Sequence, residues 1–204
     1  MDQTHWESVY QRKPTTGVSW YRPHLDQSLR FIEDARLPAQ GAIIDVGAGA
    51  STLVDDLLGR GYRDLTVLDL SPRALEVTRA RLGDRGRQVK WVVGDVTSVG
   101  LPHQAYDFWH DRAVFHFLTD GEQRRRYVEQ VRRCLRPGGR VLIATFSHEG
   151  PTSCSGLAVA RYDEHELHAV FGPDFEPLSC ATEQHLTPSG KAQAFLYCEC
   201  RLRG

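Results

Sequence analysis

Ile43-Ile44-Asp45-Val46-Gly47-Ala48-Gly49-Ala50-Ser51-Thr52 reads as a buried strand, a Gly-x-Gly turn and the start of a helix. Leu53, Val54, Leu57 and Leu58 continue that helix on one face, and Gly59 and Gly61 end it. Glycines in this position let the backbone come close to a ligand, and the helix N-terminus offers unpaired N–H groups to it. A dinucleotide fingerprint carries a third glycine, where this chain has Thr52. A pyrophosphate would also be repelled by Asp45, whereas a ligand with an amino group would not.

Outward from this stretch, short apolar runs alternate with helical patterns. Leu65–Asp69, Val89–Val93, Tyr106–His110 and Arg140–Phe146 read as further strands. Ser71-Pro72 opens a helix as N-cap and first helical residue, and Thr119-x-x-Glu122 reads as a capping box ahead of Tyr127, Val128, Val131 and Leu135. Alternation of this kind predicts an α/β fold with a mostly parallel sheet and helices on both faces. After a short helix near 163–171 come two strand-like stretches, near 175–185 and 192–201. Thr187-Pro188-Ser189-Gly190 between them is too short for a crossover helix, so they should pair antiparallel. Residues 1–40 precede the core and carry a helix with Leu25, Leu29 and Ile32 on one face, behind an aromatic segment holding Trp6, Tyr10, Trp20 and Tyr21.

Composition limits the alternatives. The chain has 204 residues, a net charge of −1, 41% hydrophobic and 25% charged residues, which suits one soluble domain without a general pull toward nucleic acid. No apolar run approaches the roughly 20 residues that span a bilayer. Met1-Asp2-Gln3-Thr4-His5 lacks the apolar core of a signal peptide, so a cytoplasmic location is expected. The five cysteines are odd in number and form no Cys-x-x-Cys, so neither a disulfide framework nor a metal site is expected. Cys198 and Cys200 alternate on one strand face and read as small core residues, while Cys154 sits in a Gly/Ser/Pro loop.

Asp69 closes the second strand, 22 residues after Gly47, and Asp95 ends the third. Either could simply cap its turn. Taken in order with the Gly-x-Gly, they line the sheet edge where open α/β folds bind ligands, and an acid at the second strand end suits ribose hydroxyls. The amino group wanted by Asp45 then matches the methionine part of S-adenosylmethionine.

With these residues in hand, the chain resembles the class I S-adenosylmethionine-dependent methyltransferases. Asp45-Val46-Gly47-Ala48-Gly49, Leu68-Asp69-Leu70-Ser71 and Gly94-Asp95-Val96 look like their first three motifs, and Leu135–Val141 looks like the turn into their fifth strand. The resemblance implies a Rossmann-like seven-stranded sheet with a reversed last strand, spanning 1–204 as one domain with 1–40 as a lid. It implies that Asp45, Gly47, Ala48 and Gly49 cradle the cofactor, Asp69 binds ribose, Asp95 binds the adenine amine, and Leu70 and Val96 flank the ring. One departure is Ala50-Ser51 where the family's loop carries a third small residue, usually glycine.

The acceptor side should lie in Trp109-His110-Asp111-Arg112-Ala113-Val114-Phe115-His116-Phe117. His116 suits a general base, Asp111 could orient it or face the sulfonium, and Arg112 could hold the cofactor carboxylate. His110 reads as a satisfied histidine, and Asp111 and Arg112 could instead form a structural ion pair. Asp111-Arg112-Ala113 resembles a stretch of thiopurine-type thiol methyltransferases, and is similar to an Asp-Lys-Gly stretch of small protein-lysine methyltransferases. The aromatics Trp6, Tyr10 and Trp20 are similar to the lid of both branches. A small-molecule sulfur or oxygen acceptor is the leading expectation and a protein lysine the alternative. A nicotinamide oxidoreductase and a silent cofactor-binding module are weaker rivals. Nucleic acid is disfavoured, because no Asn/Asp-Pro-Pro-aromatic tetrad follows the fourth strand. Arg124–Arg126 with Arg132-Arg133 read as a solvated helix face, with a docking patch as the sharper alternative.

Overall fold

A computed structural model describes residues 2–12 and 14–204. Seven strands form its main sheet: β1 Ala42–Val46, β2 Asp64–Asp69, β3 Val89–Val93, β4 Tyr106–Arg112, β5 Leu135–Phe146, β6 Phe175–Leu186 and β7 Ala192–Leu202, in the order β3-β2-β1-β4-β5-β7-β6. The first five run parallel, and β7 enters antiparallel between β5 and β6. The Rossmann-like arrangement expected from the sequence is therefore present.

Side chains alternate along each strand, so the two faces bury different sets. Ile44, Trp109 and Val141 face α5 (Gly121–Cys134) and α6 (Glu164–Phe171), meeting Tyr127, Val131, Leu167 and Phe171. Ile43, Phe108 and Leu142 face α2 (Asp26–Asp34), α3 (Leu53–Gly59) and α4 (Pro72–Leu82), meeting Leu29, Ile32, Leu53, Leu57 and Leu75. All five residues of β1 are buried, as a central parallel strand covered on both faces requires. An N-terminal helix, α1 (Gln3–Arg12), is laid against α4: Ser71 Oγ donates to Glu7, and the Arg73 N–H reaches the same carboxylate at 3.2 Å.

Several local expectations shift. The N-cap of α5 is Asp120, whose carboxylate accepts from the N–H groups of Glu122 and Gln123, so Thr119-x-x-Glu122 is not its capping box. Asp120 wins because a carboxylate is the stronger acceptor at a helix N-terminus. Strand β4 runs two residues past His110, so that Asp111 and Arg112 end the strand, and β5 begins at Leu135 rather than Arg140. The expectation of no disulfide is corrected at one place: Cys180 and Cys198 face each other across β6 and β7 and are bridged. The α5 arginines are a solvated face, with Arg125 and Arg126 paired to Glu122 and Arg132 to Glu129. Among the described residues, no helix is long and apolar enough to cross a membrane.

Candidate active site

β1 hands its chain to β2 on one side while β4 lies on the other, so their carboxyl ends part to leave a crevice. Gly47 and Gly49 turn the chain there with φ of 63° and 53°. The N–H groups of Gly47 and Ala48 both reach the Leu68 carbonyl, at 2.8 and 3.2 Å. A Cβ on Gly47 would stand 1.8 Å from the Val114 side chain, and one on Gly49 would stand 2.1 Å from the Tyr10 hydroxyl. Both positions need glycine for conformation and for space.

Gly47, Asp69, Leu70, Gly94, Val96 and Arg112 line the resulting cleft. Trp6, Tyr10, Trp20, Phe117 and Cys154 complete its wall. Asp69 accepts from the N–H groups of Gly49 and Ser71, both at 2.7 Å, which fixes its carboxylate beside the glycine loop. Burial lifts its pKa to about 6 against the pull of those two hydrogen bonds. Tyr10 is raised as well, first by burial and then by the Asp69 charge.

Asp45 lies beside a neighbouring pocket with Ala48, His110 and Arg112. It is the register partner of His110, whose Nδ1 bonds to Asp45 Oδ1 at 2.7 Å while Nε2 bonds to Ser28 Oγ at 2.8 Å. His110 is thus a satisfied buried histidine. Asp45 Oδ2 is buried with no hydrogen-bond partner. Arg112 is held by β7 and by the N-terminal arm. Its Nε donates to Tyr197 Oη at 3.0 Å, its Nη1 donates to the Trp20 carbonyl at 3.1 Å, and its guanidinium lies 4.4 Å over the Phe195 ring. Its buried Nη2 has no hydrogen-bond partner; Glu183 is 3.9 Å away.

These two orphaned groups bear on whether the residues fit S-adenosylmethionine. A buried carboxylate oxygen and a buried guanidinium N–H beside one glycine loop suit the amino and carboxylate ends of an amino acid. The acid beside the loop suits a ribose, and Leu70 and Val96 supply apolar walls for a base. Asp95 does not line the cleft: its carboxylate accepts from the N–H and Oγ1 of Thr97, while Gly94 and Val96 on either side do line it.

The two catalytic candidates also lie behind the wall. Asp111 is fully buried, with one oxygen accepting from the Val114 and Phe115 N–H groups and the other from Tyr127 Oη at 2.5 Å. It pins the turn after β4 and forms no ion pair with Arg112. Burial raises its pKa to about 6. His116 is fully buried between the rings of Phe117 and Phe146, with centroids 4.5 and 4.6 Å away, and neither nitrogen has a hydrogen-bond partner. Burial, aided by the Arg112 charge, lowers its pKa to about 3. Buried in this way and absent from the cleft lining, His116 is placed unlike the general base that the sequence suggested.

Sequence reasoning passed over Tyr197 and Glu183. The Tyr197 hydroxyl accepts from Arg112 and donates to Glu183 at 2.8 Å, and Glu183 also meets Arg22 at 3.1 Å. Nothing local marks them, because Tyr197 lies 85 residues from Arg112.

A glycine-loop crevice at the switch point of a seven-stranded sheet, with an acid ending β2, defines a nucleoside-binding α/β enzyme. Residues 43–139 match the family described as "Methyltransferase domain", and the chain is an S-adenosylmethionine-dependent methyltransferase with a Rossmann-like fold. It is similar to the EEF1A lysine methyltransferase 2 of Danio rerio, 25% identical over 186 residues, which are 84% of this chain and 74% of that one. Its fold is shared with the N-methyltransferase NodS of Bradyrhizobium japonicum WM9 in complex with S-adenosyl-L-homocysteine, at a TM-score of 0.75, 16% identity and 100% of both chains. It is shared too with a protein solved in connection with the conversion of a disulfide bond into a thioacetal group during echinomycin biosynthesis. That likeness has a TM-score of 0.79 and 21% identity, and covers 99% of this chain and 93% of the other.

Proposed function

We propose that the protein methylates a lysine side chain of another protein, in preference to the small thiol or hydroxyl that the sequence suggested. The observation that carries this reading is the similarity to a lysine methyltransferase over most of both chains. In this reading Asp69 binds the ribose, Leu70 and Val96 flank the adenine, and Asp95 approaches the adenine amine from beside the cleft. Gly47, Ala48 and Gly49 give the loop its close approach. Asp45 and Arg112 hold the amino and carboxylate groups of the methionine part. Bound there, the cofactor supplies a methyl group on a sulfonium sulfur, ready for an in-line displacement.

The chain's own part is alignment and desolvation. The aromatic side of the cleft brings Trp6 within 5.9 Å of Trp20 and 5.0 Å of Phe117, centroid to centroid. Rings at this spacing attract a cation by their faces and exclude water. An alkylammonium entering among Trp6, Trp20, Phe117 and Cys154, with Asp69 taken up by the ribose, loses hydration, so its pKa falls. The neutral amine that results carries the attacking lone pair, and its proton leaves to solvent at the mouth. No side-chain base is needed, which agrees with the burial of His116 and Asp111.

The test combines methyl-labelled S-adenosylmethionine, the purified protein and a cell extract, with the products separated by size. Enzyme-dependent label in a protein, mapping to a lysine, is expected. Label confined to small molecules would overturn the proposed acceptor and restore the thiol or hydroxyl reading.

A further inference from the structure

On the face of the sheet that meets α5 and α6, three side chains from three elements converge. Cys180 of β6 and Cys198 of β7 are direct register partners with Cα atoms 4.3 Å apart, the close spacing of a non-hydrogen-bonded antiparallel pair. His168 comes from α6, and its Nε2 lies 3.6 Å from Cys180 Sγ. The three ligand atoms all lie within 4.8 Å of one another. Cys198 is buried, whereas Cys180 and His168 are half-buried, leaving one side of the cluster open to solvent.

We propose that His168, Cys180 and Cys198 form a site for one thiophilic divalent cation of the zinc class, available when the Cys180–Cys198 bridge is reduced and lost when it forms. A tetrahedral zinc with sulfur at about 2.3 Å and nitrogen at about 2.0–2.1 Å needs a sulfur-to-nitrogen edge of about 3.6 Å. The Cys180–His168 separation already has that length. Two thiolates and an imidazole are the soft and borderline donors such a cation selects, and the open side leaves a fourth position for water. A second cluster, His148 with Asp163 and Glu166, lacks this character. It is exposed, and its carboxylates are engaged in the capping box of α6.

The chemistry closes on two steps. A dithiol reductant exchanges with the bridge, becoming a disulfide itself and leaving one proton on each of Cys180 and Cys198. The cation then displaces both protons and takes the two thiolates and the neutral His168 as ligands. The bridged and metal-bound forms use the same two sulfur atoms, so they exclude each other. The site is separate from the cofactor cleft and does not depend on the identity of the methyl acceptor.

The full chain, reduced with a dithiol and freed of it without air, is titrated with Cd²⁺ while the sulfur-to-cadmium absorption band is followed. One Cd²⁺ per chain is expected for the reduced protein and none for the oxidised protein. Cys180→Ser should abolish the band, and His168→Ala should weaken binding about tenfold or more. Cys134→Ser and Cys200→Ser, which alter the other buried thiols of that face, should leave it unchanged. A band that survives Cys180→Ser, or equal binding by oxidised protein, would overturn the site. Alkylation of the wild-type protein gives an answer free of any folding defect. Cd²⁺ should protect Cys180 and Cys198 from a thiol-alkylating reagent, and unprotected reaction at both would sink the proposal.

Discussion

Gly49 is where the glycine loop and the N-terminal arm meet, since its missing Cβ leaves room for the Tyr10 hydroxyl. Gly49→Ala therefore adds a side chain at a positive φ and pushes Tyr10 away. A urea melt should show a loss of about 1–2 kcal/mol from the backbone alone, and an unchanged midpoint would mean that the loop relaxes freely. Asp69 presents the acid on which the ribose assignment depends. Asp69→Ala should weaken S-adenosylmethionine binding by calorimetry, because charge-assisted hydrogen bonds of about 1.5–3 kcal/mol each are lost. Retained affinity would remove the ribose from Asp69. His116 permits a test in pH. Its folded pKa of about 3 lies below the ordinary 6.5. The folded state therefore excludes a proton that the unfolded chain binds as pH falls below that ordinary value, and stability is lost in the same direction. Between about pH 7.5 and pH 5 the loss amounts to about 2 kcal/mol. His116→Leu should be free of it, so its stability relative to wild type should rise by about that much on acidification. A constant difference across that range would mean that His116 is hydrated or charged in the folded protein.

At the scale of elements, the cleft depends on how strands and arm are tied together. Arg112 ends β4, Tyr197 sits on β7, Glu183 on β6, and Trp20 in the arm, and hydrogen bonds join them into one chain. His185 of β6 adds a second tie to the arm, 2.7 Å from the Ser19 carbonyl. Tyr197→Phe removes the hydroxyl between Arg112 and Glu183 while leaving the ring stacked beside Phe31. Loss of one such hydrogen bond costs about 1 kcal/mol, so the KM for the cofactor should rise several-fold with kcat nearly unchanged. A fall in kcat alone would place Tyr197 nearer to the methyl-transfer step than the hydrogen bonds indicate.

For the whole molecule, the decisive feature is that β7 enters the sheet between β5 and β6. The residues that match the family end at 139, yet β5 is completed only by pairing with β7, from Arg140 opposite Arg201 to Phe146 opposite Phe195. A chain ending at Gly172 would expose that edge and lose Tyr197 and Phe195, which hold Arg112 from β7. It should fail to melt cooperatively, because an uncovered apolar strand edge invites association. A soluble truncation that still bound cofactor would show that β1 to β5 fold alone.

The sequence by itself determined the architecture and the cofactor. Hydrophobic periodicity, turn residues and the order of Gly-x-Gly, Asp69 and Asp95 are local signals, and they specify alternating strands and helices and a glycine loop at one sheet edge. Tertiary structure alone decided which polar residues reach the cleft. Asp111 and His116 share a motif-rich segment with Arg112, but strand alternation turns Asp111, and the turn after β4 carries His116, behind the wall while Arg112 faces inward. Tyr197, Glu183 and the Cys180–Cys198–His168 cluster carry no local mark, since their partners come from strand register and helix packing. The physical reason is the range of the forces involved. Backbone propensity and apolar alternation act over a few residues. Hydrogen bonds, ion pairs and ligand clusters form wherever folding brings groups within about 3–4 Å, regardless of their separation along the chain.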